Sequence, residues 1–106
     1  MEIPEIYVHD GTLLRVIEDP EHARITMQVE LLILERDEQL ERRVLVFEDV
    51  YSYQVAEGGY NGSPTLLDFK IVGKEAGGSR VRLDTTVGFR EIVCSSVRVF
   101  EYEAVA

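Results

Sequence analysis

Between Ile25 and Leu31 the chain reads Ile-Thr-Met-Gln-Val-Glu-Leu, apolar at every second position, and residues 81–87 repeat the pattern. Successive side chains on a strand point to opposite faces, so a period of two describes ribbons with one buried face and one wet face. Segments of this kind fill most of the 106 residues. A chain of that length forms one domain, residues 1–106, with a core of its own. About seven such strands joined by short turns predict an all-β fold, an antiparallel β-sandwich or a partly closed barrel.

Residues 12–17 form the first clear strand, preceded by His9-Asp10-Gly11, whose glycine suits a turn with positive φ. Pro20 ends that strand because it has no amide donor, and Asp19 before it is placed to cap one helical turn. Residues 23–35 read as the longest strand, with loss of alternation at residues 31–34 suggesting burial on both faces or a bulge that shifts the register. The charged stretch 36–39 then predicts a hairpin loop before a partner strand over residues 40–47. A helix over residues 29–47 is the rival reading, but it places Arg36 and Arg43 on the apolar stripe, and Val44 to Phe47 is β-rich. Further strands are expected at 50–55, 66–72, 81–89 and 92–102. Loops fall at 58–64 and 73–79, and the last strand changes parity between Cys94 and Val97, suggesting a second bulge.

Charge is unevenly distributed. Residues 1–57 hold 14 Asp and Glu against 5 Arg, a net of −9, while residues 58–106 hold 6 of each sign. A negative field repels phosphate backbones and disfavours nucleic-acid binding, but it can steer a basic protein partner. No apolar run approaches the roughly 18 residues that span a bilayer, and the acidic N-terminus lacks the form of a signal peptide. One cysteine, Cys94, cannot form an internal disulfide, which fits a reducing compartment and predicts a cytoplasmic protein.

Few residues carry the spacing of known chemistry. His9 and Asp10 could ligate a metal, but with only His22 as a second imidazole a closed site would need carboxylates such as Glu21. Turn formation accounts for His9 and Asp10 without a metal, so neither metal nor cofactor is expected. Ser52, Ser63, Ser95 or Ser96 could join a Ser-His-Asp arrangement, yet no Gly-x-Ser-x-Gly elbow is present. Gly73-Lys74 resembles the end of a phosphate loop, but Glu75 replaces the required hydroxyl residue and Asp68 the upstream glycine. Cys94, flanked by strand residues, reads as a small core side chain. The 58–64 loop offers Tyr60 and Asn61 for a protein or small-ligand contact. Tyr51, Tyr53, Phe100 and Tyr102 are candidates to line the interior of a barrel.

His9-Asp10-Gly11, Leu13-Leu14-Arg15-Val16, the long alternating strand and Phe47-Glu48-Asp49-Val50 resemble small bacterial β-rich proteins of the polymorphic-toxin immunity type, over residues 9–55. The resemblance implies a non-enzymatic protein that binds and neutralises a cognate toxin in the cytoplasm of the producing cell.

The expectation is therefore a small acidic binding module, with Tyr60, Asn61, His9, Asp10, Glu30, Glu35, Asp37 and Glu38 as contact residues for a basic protein. The alternatives are a small-molecule-binding β-barrel and a metal-assisted hydrolase using His9, Asp10 and His22. Edge-strand pairing could also join two copies into a homodimer.

Overall fold

The structure is a computed structural model that describes residues 6–33, 39–75 and 77–101. Among the described residues eight strands follow one another: β1 (Thr12–Asp19), β2 (Arg24–Ile33), β3 (Gln39–Glu48), β4 (Ser52–Glu57), β5 (Leu66–Glu75), β6 (Gly78–Thr85), β7 (Gly88–Cys94) and β8 (Ser96–Glu101). They form two antiparallel four-stranded sheets, ordered β1-β2-β3-β8 and β4-β7-β6-β5. The chain is an all-β, sandwich-like single domain. Among the described residues no helix is long and apolar enough to cross a membrane.

The alternating ribbons bury the face their period defines. Ile25, Met27, Val29 and Leu31 of β2 and Leu45 and Phe47 of β3 meet Leu66, Val81, Leu83, Ile92 and Cys94 of the second sheet. Phe47 is wholly buried and meets Phe69 edge-on at 6.2 Å between ring centres. Burial of a side chain this large contributes about 1.5–3 kcal/mol, enough to fix strand register, since a one-residue slip would turn the whole row outward.

Asp19 caps one 3-10 turn over Pro20–His22, as its sequence predicts, with its side chain accepting from the His22 amide. Its carboxyl is held below the ordinary range, chiefly by the hydrogen bond with the His22 side chain. At His9-Asp10-Gly11 the turn is present, but the positive φ falls on Asp10, at 65°. Gly11 is required for space: a Cβ there would lie 2.7 Å from the Glu30 carbonyl oxygen and 2.8 Å from that of Val8.

Three expectations about the ribbons need correction. The register of β2 against β3 runs unbroken from Ile25↔Phe47 to Ile33↔Gln39, so the described part of the 31–34 stretch contains no bulge. Bulges occur instead between Leu13 and Arg15 of β1 and at two places in β5. The 73–79 loop is largely strand, because Gly73, Lys74 and Glu75 pair with Arg80, Ser79 and Gly78. The parity change after Cys94 is not a bulge. There the chain leaves one sheet at Ser95 and enters the other as β8.

Opposite charges of the second half pair on the face of its sheet. Arg80 and Arg82 of β6 both pair with Glu91 of β7, at 2.9 and 3.4 Å, while Asp84 lies 2.8 Å from Arg82 and 3.9 Å from Lys70. These pairs, all but Arg82–Asp84 between neighbouring strands, lie on the outer face of the second sheet, and Arg82 also stacks 3.9 Å above the Phe89 ring. Each exposed pair contributes little to stability.

Candidate functional site

One cation of the second half faces the other way. In β7 the row Gly88, Arg90, Ile92 and Cys94 points inward, because Ile92 and Cys94 belong to the core and Arg90 stands opposite Leu83 of β6. Arg90 is 7% exposed. On the neighbouring β4 the same face carries Tyr53 and Glu57, beside Ile92 and Gly88.

The guanidinium binds Glu57 in a fork, Nε to Oε2 at 2.9 Å and Nη2 to Oε1 at 2.7 Å. It also donates to the Tyr53 hydroxyl oxygen at 2.5 Å and the Tyr60 hydroxyl oxygen at 2.7 Å, and Tyr60 in turn donates to Glu57 Oε1 at 2.7 Å. Such a bidentate, charge-assisted pair is stronger than neutral hydrogen bonds and fixes its geometry. Burial opposes the charge of Arg90, but Glu57 and Tyr53 outweigh it and raise its pKa further. Burial likewise pushes Glu57 up, yet the hydrogen bonds from Arg90 and Tyr60 and the Arg90 charge prevail and hold it below its ordinary 4.5. Tyr53 is raised mainly by burial, and Tyr60 by its bond to Glu57.

This network anchors the 58–64 connection. The Gly58 amide donates to the Val87 carbonyl, and Tyr60 is tied through its hydroxyl while its ring stays 58% exposed. Between this connection and β1 opens a cleft of about 560 Å³, walled by Leu13, Val16, Glu18, Tyr60, Pro64 and Arg90. That volume falls in the usual range of ligand sites, roughly 300–1,000 Å³. Glu18 is exposed, and the described residues give it no ion-pair partner. Among the described residues it is the one carboxylate that borders the cleft, which Arg15 and Arg90 also line.

The residues expected to act in contact are only partly brought together. Tyr60 and Asn61 lie in the cleft-side connection. His9 and Asp10 sit in the turn before β1, where His9 Nδ1 is 3.2 Å from the Leu67 carbonyl oxygen and Nε2 is 3.6 Å from Asp10. Glu30 lies on β2, 4.0 Å from Arg42. Glu35, Asp37 and Glu38 fall outside the described residues, as does Tyr102. The aromatic set does not line one interior: Tyr51 is 64% exposed, Tyr53 belongs to the second sheet and Phe100, 43% exposed, to the first. His22 pairs with Asp19 at 2.8 Å, so β1 separates it from His9, and neither imidazole meets a serine hydroxyl. Ser95 donates to Asp49 Oδ2 at 2.7 Å. Among the described residues no group of three His, Cys, Asp or Glu could hold a metal ion. Cys94 is wholly buried, as its strand setting predicts, and burial pushes its thiol up to about 11.

Arg90 and Glu57 were not legible as a site. Extending the parity of Ile92 and Cys94 backwards would have placed Arg90 inward. Comparison of the chain with protein-family models, curated proteins and solved structures finds no match.

Proposed function

We propose that this domain is a non-enzymatic binding module for a basic protein partner, with the cleft between β1 and the 58–64 connection as its recognition site. The observation that carries the reading is the Arg90–Glu57–Tyr60 network, which holds an exposed aromatic ring at the rim of a preformed cleft. Rigid aromatic anchors beside apolar pockets dominate binding energies, and prior ordering lowers the entropy cost of association. Glu18 in the cleft, and the net charge of −9 on the chain, favour a cationic partner and speed its approach. The immunity-type resemblance would make that partner a toxin met in the cytoplasm. The volume of the cleft also supports the second reading, a small-molecule binder.

The test is capture from host extract with the tagged protein, alongside Ser63→Trp, which fills the cleft from its rim, and Glu75→Lys on the far face. A stoichiometric basic protein should be retained by the parent and by Glu75→Lys, and lost at least tenfold by Ser63→Trp. Equal retention by all three would refute the reading. Saturable binding of a metabolite blocked by Ser63→Trp, with no protein retained, would favour the small-molecule site.

A further inference from the structure

The cleft follows one backbone edge. At its start β1 already has a neighbour on the side away from β2: Thr12 bridges Thr65 antiparallel, the Leu13 amide donates to the Pro64 carbonyl at 3.0 Å, and the Leu66 amide donates to the Gly11 carbonyl at 2.8 Å. That pairing stops at Pro64, which has no N–H to continue it. Beyond it the connection turns away through Ser63 and Tyr60, and Leu13, Leu14, Arg15, Val16 and Glu18 all border the cleft.

The ladder determines which backbone groups this leaves open. Leu13 points its amide away from β2, toward Pro64. The bulge at Leu14 resets the phase, so Arg15, Ile17 and Asp19 take the positions bonded to Gln28, Thr26 and Arg24 of β2. Alternation along an antiparallel strand then directs the N–H and C=O of Val16 and Glu18 outward. Among the described residues no backbone bond reaches them from that side. The open stretch from Leu13 to Glu18 spans about 17 Å, room for an extended segment of about five residues.

The walls define the side chains such a segment would carry. Val16 and Glu18 stand opposite Met27 and Ile25 and so lie on the inner face, with Leu13 before them. The Arg90 charge is neutralised by Glu57; of the two further charges of β1 that border the cleft, Arg15 stands opposite Gln28 on the outer face, and Glu18 is the one an inner-face side chain would meet. A guanidinium has five donors, and the four bonds to Glu57, Tyr53 and Tyr60 leave one for an incoming carbonyl.

We propose that an extended segment of a partner protein adds as an antiparallel strand to the open edge of β1, bonding the backbone of Val16 and Glu18 and placing an apolar and a basic side chain two residues apart against Val16 and Glu18. The inference rests on the binding-module reading and specifies its mode. Main-chain bonds would supply affinity, and the alternate side chains specificity, as in other strand-addition complexes.

The probe is a set of capped hexapeptides alternating threonine with valine and lysine in both orders, added to the isotope-labelled full chain and followed by NMR. In the better order the Val16 and Glu18 amides should shift and their hydrogen exchange should slow at least tenfold. N-methylation of the peptide amides that face β1 should weaken binding at least tenfold, while methylation of the alternate amides changes it less than twofold. Glu18→Gln should lower affinity for the lysine peptide at least threefold and leave an all-valine version unaffected. Equal tolerance of methylation on both edges, shifts centred away from β1, or no binding at millimolar peptide would overturn strand addition. Were a captured partner still lost with Ser63→Trp, those results would leave the binding module standing and remove only this mode.

Discussion

Arg90 and Glu57 meet on the inner face of the second sheet through two parallel N–H···O bonds, with side chains only 8% and 4% exposed. Removing one member leaves the other charged and buried, which costs about 3–5 kcal/mol, whereas replacing both with apolar side chains is often neutral. Glu57→Gln should therefore destabilise by about 3 kcal/mol in urea unfolding, and Glu57→Leu with Arg90→Met should recover most of that loss. A cost below about 1 kcal/mol for the single variant would mean that the pair behaves as a surface ion pair.

Acid should weaken the same contact. The pKa of Glu57 is lowered in the folded chain, so its contribution to stability is fully present above the unfolded value, near 4.5, and is lost as pH falls through the folded value. Chemical unfolding measured from pH 6 downward should show stability falling below about pH 4.5, with a shallower fall in Glu57→Gln. Parallel curves for the two proteins would assign the acid sensitivity to other carboxylates.

Backbone space sets a third expectation. Gly88 has φ 146°, and a Cβ on it would lie 1.9 Å from the Ala56 carbonyl oxygen on β4. Gly88→Ala should cost about 3 kcal/mol or more and weaken the hold of β4 on β7. Gly59, with nothing within 4 Å of its added Cβ, should accept alanine with a gain of up to about 0.5 kcal/mol. Thermal melts of the two variants should separate in opposite directions.

Cys94 should report opening of the core. Its thiol is pushed up to about 11 and has no exposed surface, so a disulfide reagent at pH 8 should label it only through opening of the sheets. Labelling should accelerate in urea well below the unfolding midpoint. Completion within mixing time in buffer alone would show the thiol to be reachable in the native state.

The period of two located β2 and β6 because one face of each is buried and the other wet, and the Asp19-Pro20 pair marked its turn by local chemistry alone. The exit at Ser95 was visible only as a parity change. Its cause is pairing of β8 with β3, which no local pattern encodes. Gly73 and Gly78 suggested a loop by composition, yet Gly78 is a strand residue whose Cβ would lie 2.6 Å from the Cys94 carbonyl oxygen. Arg90 escaped notice because a cation is ordinarily turned to water, and only its juxtaposition with Glu57, Tyr53 and Tyr60 makes an inward position stable.

The return of the chain to its first sheet has a consequence during synthesis. β8 pairs with β3 from Phe47↔Val97 to Arg43↔Glu101, across about fifty residues that build the entire second sheet. A ribosome adding roughly 5–20 residues per second leaves Leu45 and Phe47 without their covering partners for several seconds after β3 emerges. Nascent chains stalled between β3 and β8 should thus be the form of this protein most readily bound by chaperones.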